Sequence, residues 1–66
     1  MRLTVNGEPA EHADVLTVSA LLAELKLDPR RVAVERNKLI VRRAQFDRAA
    51  LTDGDELEIV TLVGGG

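Results

Sequence analysis

The chain has 66 residues, 45% of them hydrophobic and 30% charged, which is the balance of one small globular domain. A domain this short buries only about 60% of its unfolded surface, so a large substrate or cofactor cavity would hollow out its core. It has no cysteine and a net charge of −2, which excludes disulfide staples, thiolate-bound zinc, iron–sulfur clusters and a thiol nucleophile.

The alternation of Leu3 and Val5 with Arg2 and Thr4 predicts a half-buried first strand. Asn6-Gly7 follows, and both residues tolerate the positive φ of a two-residue type I′ hairpin turn. Glu8 to Asp14 is expected to be a weaker strand, with Pro9 confining it to a sheet edge. Thr17 is placed to cap a helix, and Val18, Leu21, Leu22 and Leu25 form one apolar stripe at helical spacing. The helix is expected to run about ten residues, with Asp28-Pro29 stopping it because a residue before proline resists the α region. Val32 and Val34 share a face of a further strand, opposite Ala33 and Glu35. Asn37-Lys38 reads as a turn and Leu39-Ile40-Val41 as a short return strand. Arg42 to Ala50 has no period and is expected to be loop or a single helical turn, pinned to the core by Phe46 and Leu51. Asp53-Gly54-Asp55 is a turn with glycine at its strained position. Glu56 to Val63 is the strongest strand, with Leu57, Ile59, Thr61 and Val63 on one face and Glu56, Glu58, Val60 and Leu62 on the other. The order is β-β-α-β-β-β. The expected fold class is α+β: a mixed sheet of about five strands packed on one main helix.

Chemistry inside the domain finds few residues to work with. The single histidine, His12, reads as a surface residue, and one imidazole does not make a metal site. Ser19 is the only serine and has no triad to join. No phosphate-binding glycine motif of the G-x-x-x-x-G-K type occurs. Asp53, Asp55, Glu56 and Glu58 are explained by turn and outward-strand positions. From Arg30 to Arg48 seven basic residues face two acidic ones, a local charge of +5 that leaves −7 elsewhere. Nucleic acid is the partner such a run suggests. Phe46 is the lone aromatic, however, and stacking platforms need more, so the run is read as solvated charge and no nucleic-acid partner is expected. No apolar run nears the ~20 residues of a membrane helix and Met1 to Gly7 lacks a signal-peptide apolar region; a cytoplasmic protein without a membrane partner is expected.

Gly64-Gly65-Gly66, directly after the strongest strand, is the remaining candidate. Residues 1–63 are expected to form the domain and 64–66 a flexible tail. A frayed terminus explains three glycines. So does a slim segment that threads a partner's channel and presents the Gly66 carboxylate for activation. With one helix, the sheet has one uncovered face, where Val60 and Leu62 fall close to the tail as an exposed apolar pair, the usual mark of a partner surface.

In this order and at this length, Val5-Asn6-Gly7-Glu8, Thr17-Val18 leading into Leu21-Leu22, Val32-Ala33-Val34-Glu35-Arg36-Asn37, Asp53-Gly54-Asp55 and Val63-Gly64-Gly65-Gly66 resemble the ThiS family. These are the ubiquitin-like β-grasp sulfur carriers of thiazole (thiamine) biosynthesis. Arg42 departs from the proline such chains often carry after the Ile-Val pair. The resemblance implies a protein co-substrate rather than an enzyme, with no cofactor bound to itself. An E1-like, ThiF-like adenylyltransferase would use ATP and Mg²⁺ to adenylate Gly66. A cysteine desulfurase relay would then convert it to a thiocarboxylate, and a ThiG-like thiazole synthase would take the sulfur. Gly65 and Gly64 would be slim neighbour and spacer, and Val60, Leu62, Glu56 and Glu58 would dock the partners. The small subunit of molybdopterin synthase shares this chemistry but commonly carries prolines where this chain has Val60 to Val63. A ubiquitin-like modifier joined to lysines shares it as far as the adenylate.

Overall fold

A computed structural model describes residues 1–13, 15 and 17–62. Five strands and one α-helix follow in the order β1 (Arg2–Val5), β2 (Glu8–Glu11), α1 (Val18–Glu24), β3 (Val32–Arg36), β4 (Leu39–Val41) and β5 (Glu56–Thr61). Single 3₁₀ turns occupy Pro29–Arg31 and Arg43–Gln45. The strands form one sheet in the order β2-β1-β5-β3-β4. The central pair, β1 and β5, is parallel, and the other pairs are antiparallel. This is the mixed sheet with a single grasped helix that the sequence predicts: a β-grasp fold.

Each turn has a local cause. Asn6 and Gly7 both take positive φ, 51° and 83°, and close Val5 against Glu8. Asn37 and Lys38 do the same at 51° and 71°, closing Arg36 against Leu39. Two positive-φ residues give the twist of a type I′ hairpin. Gly54 takes φ 90° in the turn before β5.

The helix begins as expected: the Thr17 hydroxyl accepts from the Ala20 N–H at 3.1 Å. Val18 and Ser19 donate their N–H groups to Ala49 and Phe46, so the loop after β4 completes the cap. Val18, Leu21 and Leu22 are fully buried, each such side chain contributing about 1.5–3 kcal/mol of transfer free energy. They pack with Leu3, Val32, Val34, Phe46, Leu51, Leu57 and Ile59. Leu25, the end of the stripe, is half-buried.

The helix spans 7 residues rather than about ten, and Asp28-Pro29 does not stop it. Lys26 takes φ 60°. Its N–H reaches the Ala23 carbonyl, and the Leu27 N–H reaches that of Leu22. This is a Schellman stop with lysine where glycine is usual. Asp28 instead starts the next turn: its carboxylate accepts from the Arg30 N–H, and Pro29 takes the first position. The second strand also stops early, at Glu11 rather than Asp14; Asp14 lies outside the described residues. Pro9 sits on an edge strand as predicted. The last strand stops at Thr61, and Thr61 is exposed although it shares the face of Leu57 and Ile59.

Candidate functional site

The proposed docking face is carried by β5, so the forces that hold β5 come first. On one side it pairs with β3 from Leu57, opposite Arg36, to Thr61, opposite Val32. On the other side β1 pairs only with Glu56 and Leu57 before its hairpin turns away. The Asn6 side chain fills the gap. Its Nδ2 donates to the Ile59 carbonyl at 3.1 Å, and its Oδ1 accepts from the Ile59 N–H at 2.7 Å. Asn37 does the corresponding work at the start of the strand. Its Oδ1 accepts from the Glu56 N–H at 3.0 Å, and its own N–H donates to the Glu56 carbonyl at 2.7 Å.

Asp55, just before β5, is buried. Its carboxylate accepts from Arg36 Nε at 2.7 Å, Asn37 Nδ2 at 3.0 Å and the Thr52 N–H at 2.8 Å. Burial pushes its pKa up, but the hydrogen bonds from Arg36, Asn37 and Thr52, with the Arg36 charge, outweigh that and hold it below the ordinary carboxylate value. Arg36 is therefore a structural partner, not one of a run of free solvated charges. Asp55, read from sequence as an ordinary turn carboxylate, is the buried anchor of the last strand.

Alternation along β5 then sends Glu56, Glu58, Val60 and Leu62 away from the helix. All four are exposed, Val60 by 58% and Leu62 by 53%. The sequence-predicted docking residues thus share one uncovered face. Register adds neighbours that no local pattern identifies: Ala33 lies opposite Val60, and Glu35 lies opposite Glu58. Like charges directly opposite destabilise a ladder. None of the ion pairs among the described residues involves Glu35, Glu56 or Glu58. The face is therefore an acidic patch grading into an apolar one along β5, suited to a basic and apolar counter-surface. Beyond the strand, the Leu62 N–H donates to the Arg31 carbonyl at 2.7 Å, which fixes the last described residue against the start of β3. Val63, Gly64, Gly65 and Gly66 follow and lie outside the described residues.

Two other candidates resolve differently from the sequence reading. His12 is buried rather than on the surface, with Nδ1 2.5 Å from Glu24 Oε1. It ties the end of β2 to the helix. Ser19 donates to the Asp47 carboxylate and fastens the helix start to the loop after β4. Among the described residues no three His, Cys, Asp or Glu side chains converge to hold a metal, and no helix is long and apolar enough to cross a membrane.

Residues 3–66 match the profile of the ThiS family. The chain belongs to that family. It is 40% identical over 65 residues to the sulfur carrier protein ThiS of Bacillus subtilis, covering 97% of this chain and 98% of that one. It is 50% identical over 66 residues to a thiazole synthase of Paramagnetospirillum magneticum, covering all of this chain but 20% of the relative. A second thiazole synthase, from Magnetococcus marinus, matches at 39% with the same coverage. The chain thus spans about one fifth of the thiazole synthases it matches. The crystal structure of the thiamine biosynthesis protein ThiS from Geobacter metallireducens superposes with a TM-score of 0.85 at 39% identity, covering both chains completely. The ubiquitin-like β-grasp is therefore the fold of this ThiS-family chain.

Proposed function

We propose that this chain is a sulfur carrier of thiamine biosynthesis that works as a protein co-substrate through its Gly66 carboxylate. The observation that carries the proposal is the join between face and tail. The exposed patch of Glu56, Glu58, Val60 and Leu62 lies on the strand that leads straight into Val63-Gly64-Gly65-Gly66. A partner that grips this face holds the chain just ahead of three residues that have no side chain to block a narrow channel.

The chemistry follows from the carboxylate's inertness. In water at neutral pH it is anionic and a poor electrophile. On an E1-like, ThiF-like enzyme a carboxylate oxygen attacks the α-phosphorus of ATP, with Mg²⁺ balancing the phosphate charge, and pyrophosphate leaves. The acyl adenylate carbon then accepts sulfide-level sulfur from a cysteine desulfurase relay. AMP departs and a thiocarboxylate remains. A ThiG-like thiazole synthase takes that sulfur. The match to thiazole synthases supports thiazole over a pterin as acceptor, because the relatives carry a segment like this one within a longer chain. The small fold supports the division of labour: the carrier supplies a docking face and a reactive end, and its partners supply the pockets.

Extending the chain by one alanine beyond Gly66 tests the proposal. The extended protein is expected to melt at the same temperature and to accept no sulfur. An untrimmed extended chain that still carries sulfur would overturn it.

A further inference from the structure

One edge of the sheet carries a second exposed apolar site. β4 is an edge strand, and Leu39 and Ile40 are exposed by 73% and 78%, more than Val60 and Leu62. They border an open groove of about 380 Å³ whose other walls are Arg36, Val41, Arg42, Gln45 and Ala49. Leu39 is level with Arg36 and Leu57, and Ile40 with Glu35 and Glu58, so the site lies beside the start and middle of β5 with β3 between them.

The ladder here is open. Asn37 bonds to Glu56 at the start of the last strand, and Arg31 to Leu62 just past its end. Hydrogen-bonded pairs alternate along an antiparallel ladder, so Ala33 and Glu35 turn their peptide groups toward β5. Ile40, opposite Glu35, then directs its N–H and C=O to the free edge. Lys38 and Arg42 flank it by two residues on each side, Arg43 follows, and all three are exposed.

That charge pattern selects the occupant. If a second copy paired antiparallel about Ile40, Lys38 of one chain would face Arg42 of the other, and like charges directly opposite destabilise a ladder. Single-stranded nucleic acid would find no exposed aromatic, because Phe46, the only one, is buried. An extended peptide with an aliphatic centre and acidic residues two positions to either side satisfies all three features. Its backbone completes the Ile40 peptide groups, its aliphatic side chains cover Leu39 and Ile40, and its carboxylates meet Lys38 and Arg42. We infer that the β4 edge is a second docking site, which takes an acidic-flanked aliphatic segment of a partner protein by strand addition.

The test uses the full 66-residue chain, labelled with ¹⁵N, and a capped peptide Glu-Glu-Val-Ile-Val-Glu-Glu. The expected result is amide shifts centred on residues 38–43, slowed exchange of the Ile40 amide and binding that weakens with added salt. Arg42→Glu and Ile40→Lys, with melting temperatures checked against the parent, should each weaken binding at least about tenfold. Several results would overturn the inference: no shift up to about 1 mM peptide, shifts centred on β5, or equal binding of a Lys-Lys-Val-Ile-Val-Lys-Lys peptide. Tighter engagement of the same amides by a single-stranded RNA oligonucleotide would overturn it too and assign the edge to nucleic acid.

Discussion

At Asn6 and Asn37 one side chain serves both a turn and a neighbouring strand. Each residue takes a positive φ that asparagine tolerates better than most, and each amide side chain completes the backbone of β5. Replacing Asn6 by glycine keeps the turn geometry and removes only the clamp. The expected cost is about 1–3 kcal/mol, from two peptide groups of Ile59 left unpaired, read by denaturant unfolding; a variant as stable as the parent would remove Asn6 from that role. Asp55 adds a pH dependence of known sign. Its folded-state pKa is lowered, because bonds from Arg36, Asn37 and Thr52 outweigh the opposing effect of burial. Its contribution is therefore complete above the ordinary carboxylate value of about 4 and lost as pH falls through the depressed folded value. Thermal melts across about pH 2–7 should show Asp55→Asn less stable at neutral pH but with a shallower loss in acid. Parallel curves for the two proteins would contradict this account.

Among the elements, β5 does most to connect fold and proposed function, since one face closes the core and the other is the proposed docking face. Val60→Asp is expected to leave the melting temperature nearly unchanged, because surface changes usually stay within about 0.5 kcal/mol. It should weaken binding to the adenylating enzyme by at least about tenfold, measured by calorimetric titration. A collapse of the fold with unaltered binding by the folded fraction would mean the wrong face was assigned. The phase of this strand was legible because six residues of clean alternation outweigh any local ambiguity. The same holds for the helix stripe and for Asn6-Gly7. What stayed hidden was set across the sheet or by unusual backbone. The Glu35–Glu58 pair needs the β3–β5 register, which no local window contains. The burial of His12 needs Glu24, a partner 12 residues on. The early helix stop needs Lys26 in a left-handed conformation, where sequence rules look for glycine. Ile40 was readable as strand, but a strand of 3 residues is too short for alternation to show which side is left open.

The whole molecule divides its surface by charge. Glu35, Glu56 and Glu58 lie on the uncovered face, while Lys38, Arg42 and Arg43 gather around the far edge, so the net charge of −2 describes neither. Intact-mass spectrometry shows most directly whether Gly66 receives sulfur. The protein is incubated with ATP, Mg²⁺, sulfide and an E1-like adenylating enzyme of demonstrated activity. The expected result is a mass gain equal to one oxygen exchanged for sulfur, mapped to Gly66. An unchanged mass, or a change mapped to any other residue, would contradict it.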